Sequence, residues 1–179
     1  MERVTRKNVL KKSGTEGLDL IFRRAKSEDV EALRVLFKDV VIGCDYYNSK
    51  AKEAALQSYK ESVLEDKVKS PSNIILVADD QTRKRLVGFS LCRIDRGFLW
   101  IDWSGTKAKF RRKGVRSNLW YFTKRIAKKK GISTVMCYTL KNNVPATTFL
   151  KKNGFERLGV NKNMWYEQDY ILWRYRLWR

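Results

Sequence analysis

The sequence predicts an α/β (α+β) fold, a mixed and mostly antiparallel sheet of six to seven strands flanked by about four helices. Three observations predict it. The runs "NIILVADD", "LVGFSLCRID" and "FLWIDWSG" follow one another through short turns, as an antiparallel meander does. From Val115 the period changes: Val115, Leu119, Phe122 and Ile126 share a narrow arc at about 100° per residue, which marks an amphipathic helix. Beyond it, "ISTVMCYTL" reads as a buried strand between two helices.

The remaining elements follow in order. Residues 1–17 are expected to form a mobile basic arm, and residues 18–179 a single domain. "LDLIFRRA" (18–25) reads as a first strand, and Ser27 as the N-cap of a helix with Glu28 and Asp29 in its first turn. Val30, Leu33, Phe37 and Val41 recur at helical spacing behind it. A second helix is expected from Asn48 or Ser49, carrying Ala55, Tyr59 and Val63 on one face until Pro71. After the amphipathic helix, Lys128–Lys130 suit its C-terminal dipole and Gly131 its C-cap. Asn143 caps another helix with Pro145 in its first turn, ending at Asn153–Gly154. "FERLGV" reads as a short strand and "YILWRYRLW" (170–178) as the last one.

Composition narrows the chemistry. The chain has no histidine, which removes Ser-His-Asp and Cys-His catalysis, and its three cysteines show no zinc or disulfide spacing. Any general base is a carboxylate, lysine, tyrosine or water. No apolar run is long enough to span a membrane and the N-terminus lacks an apolar signal core, so a cytoplasmic protein is expected. The net charge is +20, and between Trp103 and Phe155 fourteen Lys and Arg occur without one acid. Such a field attracts polyanions: nucleotide cofactors, nucleic acid or acidic protein surfaces.

"FRRKGVRSNL" (110–119) lies inside that stretch, where a loop enters a helix. Unpaired backbone N–H groups and the positive dipole end make such a place an anion site. On the preceding strand, alternation puts Phe98, Trp100, Asp102 and Ser104 on one face. Asp102 is then a carboxylate among indoles and aliphatics, whose pKa rises toward general-base values. A structural Asp paired with one of the many arginines is the alternative. Gly105 suits a bulge at the strand end.

Residues 18–179 resemble the GNAT superfamily of acetyl-CoA-dependent N-acetyltransferases. The resemblance is carried by Arg111-Arg112-Lys113-Gly114-Val115-Arg116, similar to that family's Gln/Arg-x-x-Gly-x-Gly/Ala, and by "NNVPATTFLKKNGF", similar to its Asn-x-x-Ala…Gly-Phe helix. It implies acetyl-CoA as cofactor, with a phosphate cradle over Arg111, Arg112, Lys113, Gly114, Val115, Arg116 and Ser117. It implies pantetheine contacts near Ser104, Gly105 and Thr106, where a backbone N–H would polarise the thioester carbonyl, and a further cofactor contact at Asn143. By the same resemblance Asp102 would accept the amine proton, and the segment around Asp45, Tyr46 and Tyr47 would wall the acceptor site, with Trp165, Tyr166 and Asp169 in a facing loop. Packing of those aromatics on the sheet is the alternative.

Two positions depart from the family pattern. Arg116 replaces the second small residue of the cradle, and Leu150 stands where many members carry the tyrosine that protonates the departing thiolate. Tyr166, Tyr138 or water is then left for that role. On a helical wheel Arg116 sits about 100° from Val115, off the buried face and beside Thr123, at the lip of the cradle. The expected activity is acetyl transfer to a primary amine, of a protein or peptide, by direct attack in a ternary complex. The alternative is a catalytically weak protein of the same fold that binds nucleic acid or the ribosome through its basic surface. No membrane partner or metal is expected, and monomer and homodimer both remain open.

Overall fold

A computed structural model describes residues 19–178; the expected basic arm lies outside the described residues. The order is β1 (Leu20–Arg24), α1 (Val30–Ile42), α2 (Ser49–Ser58), α3 (Glu61–Lys69), β2 (Asn73–Asp80), β3 (Arg85–Asp95), β4 (Phe98–Thr106), α4 (Val115–Lys129), β5 (Thr134–Leu140), α5 (Val144–Lys152), β6 (Glu156–Trp165) and β7 (Gln168–Arg176). The seven strands form one sheet in the order β1-β2-β3-β4-β5-β7-β6. Every pairing is antiparallel except β4 with β5, because α4 carries the chain back across the sheet between them.

The predicted mixed sheet is present, with five α-helices among the described residues rather than four. The difference arises between Asn48 and Pro71. Asn48 caps α2 as expected, its side chain accepting from the Ala51 N–H at 2.9 Å. The helix then breaks at Tyr59 and restarts as α3 after Lys60, whose backbone is extended. The break lets Tyr59 turn its ring onto Phe37 of α1, with centroids 4.9 Å apart. Ser27 is not the cap of α1: it opens a single 3-10 turn, and α1 begins at Val30. Asp29 there is buried, accepting from the Lys26 N–H at 2.7 Å and from both terminal nitrogens of Arg23. β6 runs longer than "FERLGV" suggests, and β7 keeps the expected length but starts and ends two residues earlier than 170–178. Trp165 pairs with Gln168 around the two-residue turn Tyr166–Glu167, and both turn residues have positive φ, the backbone of a type I′ hairpin.

Two apolar layers cover the sheet. Val115, Leu119, Trp120 and Ala127 of α4 pack with Leu99, Val135, Leu150 and Phe155 on one face. On the other, Leu33, Phe37 and Val41 of α1 pack with Leu64 of α3 and with Val77, Phe89 and Leu91. The site lies where the sheet between these layers comes apart.

Candidate active site

β4 and β5 pair only through Leu99–Val135, Trp100–Met136 and Ile101–Cys137. β4 continues to Thr106 along β3, and β5 to Leu140 along β7. The facing edges from Asp102 and from Tyr138 onward therefore have no sheet partner across the gap, and they open a cleft with free backbone donors and acceptors. The space in it and at its mouth, open solvent included, is about 850 Å³.

The register of β3 on β4 shifts where the gap opens: Leu91 faces Trp103, but Cys92 faces Ile101, so Asp102 is an extra residue in β4. The bulge is at Asp102, not at the expected Gly105, which pairs regularly with Phe89. One extra residue reverses the alternation beyond it. Ser104 consequently lies opposite Ser90, on the α4 side of the sheet, rather than on the face it was expected to share with Trp100 and Asp102. Gly105 is required by close approach: a Cβ there would meet Phe89 and Val40 at 2.7 Å.

The cleft's other wall is α4, through Arg116, Leu119, Trp120 and Thr123; the helix starts at Val115, after Gly114 in a left-handed conformation (φ 74°), and the other cradle residues, 111–115 and Ser117, lie outside the lining. The first backbone bond of α4 is Asn118 N–H to the Gly114 carbonyl at 3.0 Å, which leaves the preceding first-turn N–H groups free. Arg111 and Arg112 are exposed in the loop, Arg112 with φ 62°; Lys113 lies over the Phe110 ring, and Ser117 is exposed. The Val115 side chain is core.

Arg116 is not at an exposed lip. It lines the cleft, with its guanidinium 4.1 Å from the centre of the Phe149 ring, and burial lowers its pKa to about 10. Among the described residues no carboxylate pairs with it. The helical wheel did put it beside Thr123, but that side of α4 is buried: Thr123 satisfies its hydroxyl on the Leu119 carbonyl at 2.9 Å and is 1% exposed. Trp120, also in the cleft wall, keeps its indole N–H buried without a partner. A cleft with free backbone edges, a helix N-terminus, an unpaired guanidinium and an orphan donor fits an anionic, amide-rich ligand such as coenzyme A. Asn143 caps α5 by accepting from the Ala146 N–H at 3.0 Å and also borders the cleft.

A second cavity, about 600 Å³ out to its mouth, opens on the α2 side of the sheet. Tyr47, Asp102, Trp103 and Tyr138 line both cavities. Burial pushes the Asp102 carboxyl above the ordinary range, against the pull of Arg93 and Lys67. Arg93 Nε donates to its Oδ1 at 3.1 Å, so the carboxylate is both ion-paired and placed between the cavities. The arginine pairing weighed for Asp102 is therefore present, on a carboxylate whose pKa burial also raises.

Trp165 and Tyr166 reach the second cavity, Trp165 from the end of β6 and Tyr166 from the turn, where it is 44% exposed. Asp45 is exposed and, like Tyr46, borders neither cavity; the Tyr46 carbonyl accepts from Gln168 Nε2 at 2.8 Å instead. Tyr47, expected alongside them, does line both cavities. Asp169 lies within β7, holding the Asn163 N–H and Lys141. Leu150 is 3% exposed and part of the core. Sequence reasoning did not single out Tyr59, Trp103, Tyr170 or Phe149 for the site; their aromatic character was visible, but their convergence depends on long-range packing.

A model of the acetyltransferase (GNAT) family matches residues 42–155. The chain belongs to this family of acetyl-CoA-dependent acetyltransferases. Solved structures share the fold. The PaiA N-acetyltransferase of Thermoplasma acidophilum, solved with coenzyme A, has a TM-score of 0.74 at 20% identity, over 89% of this chain and 99% of that one. The ribosomal-protein-S18-alanine N-acetyltransferase of Escherichia coli superposes with a TM-score of 0.73 at 10% identity, over 90% of this chain and 96% of that one. Arabidopsis thaliana NAA60, solved with a bisubstrate analogue, has a TM-score of 0.74 at 16% identity, over 88% and 98% of the two chains. No curated protein matches by sequence. Among the described residues no helix is long and apolar enough to cross a membrane.

Proposed function

We propose that the protein transfers acetyl from acetyl-CoA to a primary amine, of a protein or peptide, by direct attack in a ternary complex, and that it works in the cytoplasm. The observation carrying this reading is that the cofactor cleft and the second cavity meet at one desolvated carboxylate, Asp102. Acetyl-CoA, when bound, supplies an activated thioester. The free N–H groups at the start of α4, from Arg112 to Ser117, hold its phosphates together with Arg111 and Arg116. The unpaired edge of β4 around Ser104 and Thr106 holds its amide arm, and Asn143 borders that arm from α5.

The acceptor enters from the other cavity, which sets its nitrogen against the thioester carbon. Asp102 takes the amine proton as the C–N bond forms and the C–S bond breaks. Tyr138, which borders both cavities, is better situated than Tyr166 to return a proton to the departing sulfur. Burial raises the thiols of Cys44 and Cys137 in the cleft wall, Cys137 to about 12, and Cys92 likewise, which disfavours a thiolate for a covalent acetyl-enzyme and supports direct transfer.

Calorimetric titration of acetyl-CoA into protein freed of nucleic acid tests the first half; no binding at high micromolar ligand sinks the enzyme reading. Asp102→Asn is expected to keep cofactor binding and to lose about a hundredfold or more in CoA-thiol release. Unchanged turnover rejects the base.

A further inference from the structure

The acceptor cavity is chemically unlike the surface around it. Among the described residues no lysine or arginine lines it, although the chain carries 39 of them. Its walls are two aromatic groups. On one side Trp103 packs on Tyr47 at 5.2 Å and edge-on to Tyr59 at 6.5 Å. On the other, Trp165 stands edge-on to Tyr138 and to Tyr170, each at 5.0 Å. Burial raises the Tyr47 and Tyr59 phenols, and Tyr170 to about 12, so they remain neutral. The floor is a small-residue face of α2, Ala51, Ala54, Ala55 and Ser58.

Asp102 is the only acid in the wall among the described residues. Its Oδ1 is taken by Arg93, which is itself turned outward, over Trp100 and toward Asp95 at 2.9 Å. Oδ2 has no partner among the described residues. Lys67 already lies over the Tyr59 ring at 5.3 Å, so the cavity offers a cation one free carboxylate oxygen, the remaining rings and a slender, mostly apolar floor.

We infer that this cavity selects a primary ammonium on an unbranched alkyl stem, the chemistry of a lysine side chain or a free aliphatic diamine, over the α-amine of a peptide. The inference rests on the acetyltransferase reading above. Methylene groups can lie along the alanine face between the rings, with the nitrogen at Asp102. An α-amine brings a peptide carbonyl within two bonds of the nitrogen. Between aromatic walls that carbonyl loses its water and meets few donors, which penalises it. A carboxylate near the amine is opposed by Asp102.

Three acceptors test the inference at fixed acetyl-CoA with the full chain: a peptide with a blocked N-terminus and one lysine, the same peptide with a free N-terminus and arginine for lysine, and 1,5-diaminopentane. Either alkylamine is expected to exceed the α-amine peptide in kcat/KM by about tenfold or more, and the better of the two identifies the source. An α-amine peptide that matches or exceeds both overturns the inference. If no amine is acetylated, tryptophan fluorescence separates the two readings. Saturable quenching by 1-aminopentane but not by 1-pentanol upholds the cavity's selectivity and rejects catalysis, whereas no quenching overturns the selectivity. Trp165→Leu is expected to raise the alkylamine KM about tenfold, with kcat nearly unchanged and Trp165→Phe restoring most of the loss. Trp165 is 43% exposed at a strand end, so the fold tolerates both changes. Wild-type KM in Trp165→Leu overturns the ring's role.

Discussion

Asp102 is under opposed influences: burial raises its pKa, while the guanidinium of Arg93 and the ammonium of Lys67 lower it. A general base acts only when ionised, so on the role proposed for Asp102 kcat/KM is expected to rise with pH through this raised pKa, above the ordinary carboxyl value of about 4. Arg93→Met removes a lowering influence, and the acidic limb of the pH–rate profile is expected to move to higher pH. A limb that stays in place would separate Asp102 from the limiting ionisation. Arg116 is the second residue whose environment sets its behaviour. A desolvated cation without an anion partner weakens the free protein, and its contact with Phe149 offsets only part of that. Arg116→Met is expected to stabilise the ligand-free protein by about 1 kcal/mol and to shrink the stabilisation that CoA confers, both read by thermal unfolding. The identity of Arg116 as a departure was legible in the sequence. Its burial was not, because a threonine that bonds its own helix looks polar on a wheel and packs like an apolar residue.

Among the elements, β4 decides the site. Its bulge sets Asp102 and Trp103 both against the second cavity and moves Ser104 to the α4 side. The apolar pattern of "FLWIDWSG" announced the strand but not the bulge, since inserting one residue into a strand rich in large apolar side chains leaves the composition of both faces almost unchanged. The β4–α1 contact is tight enough to be tested. Gly105→Ala drives a Cβ against Phe89 and Val40, and is expected to cost about 1–3 kcal/mol in urea unfolding. It should also lower turnover, because β4 and its bulge shift with the strand. The break between α2 and α3 was equally hidden: no glycine or proline marks it, and only the packing of Tyr59 on Phe37 explains it. Helices with caps and strands with turns were legible because local chemistry fixes them. The second cavity was not, because its rings come from the α1–α2 loop, the end of α2, β4, β5 and the β6–β7 hairpin.

For the whole molecule, the uneven charge is a rate effect before it is an affinity effect. The acid-free stretch surrounds the α4 N-terminus, where an incoming polyanion is guided by the summed field. Salt shortens that field to roughly 8 Å at physiological ionic strength. The association rate for CoA, measured by stopped flow, is therefore expected to fall about tenfold or more between low and high salt, with the dissociation rate changing less. Equal salt sensitivity of both rates would contradict steering.

The wall that the two cavities share, Tyr47, Asp102, Trp103 and Tyr138, has a consequence for inhibition. A single molecule carrying a pantetheine-like arm and an alkylammonium arm on a short tether needs to bridge only one layer of side chains. Its second arm then binds at an effective concentration set by the tether, millimolar or above. Two weak fragments found separately for the two openings should combine into one tight compound, and tether length becomes a molecular ruler for the thickness of that shared wall.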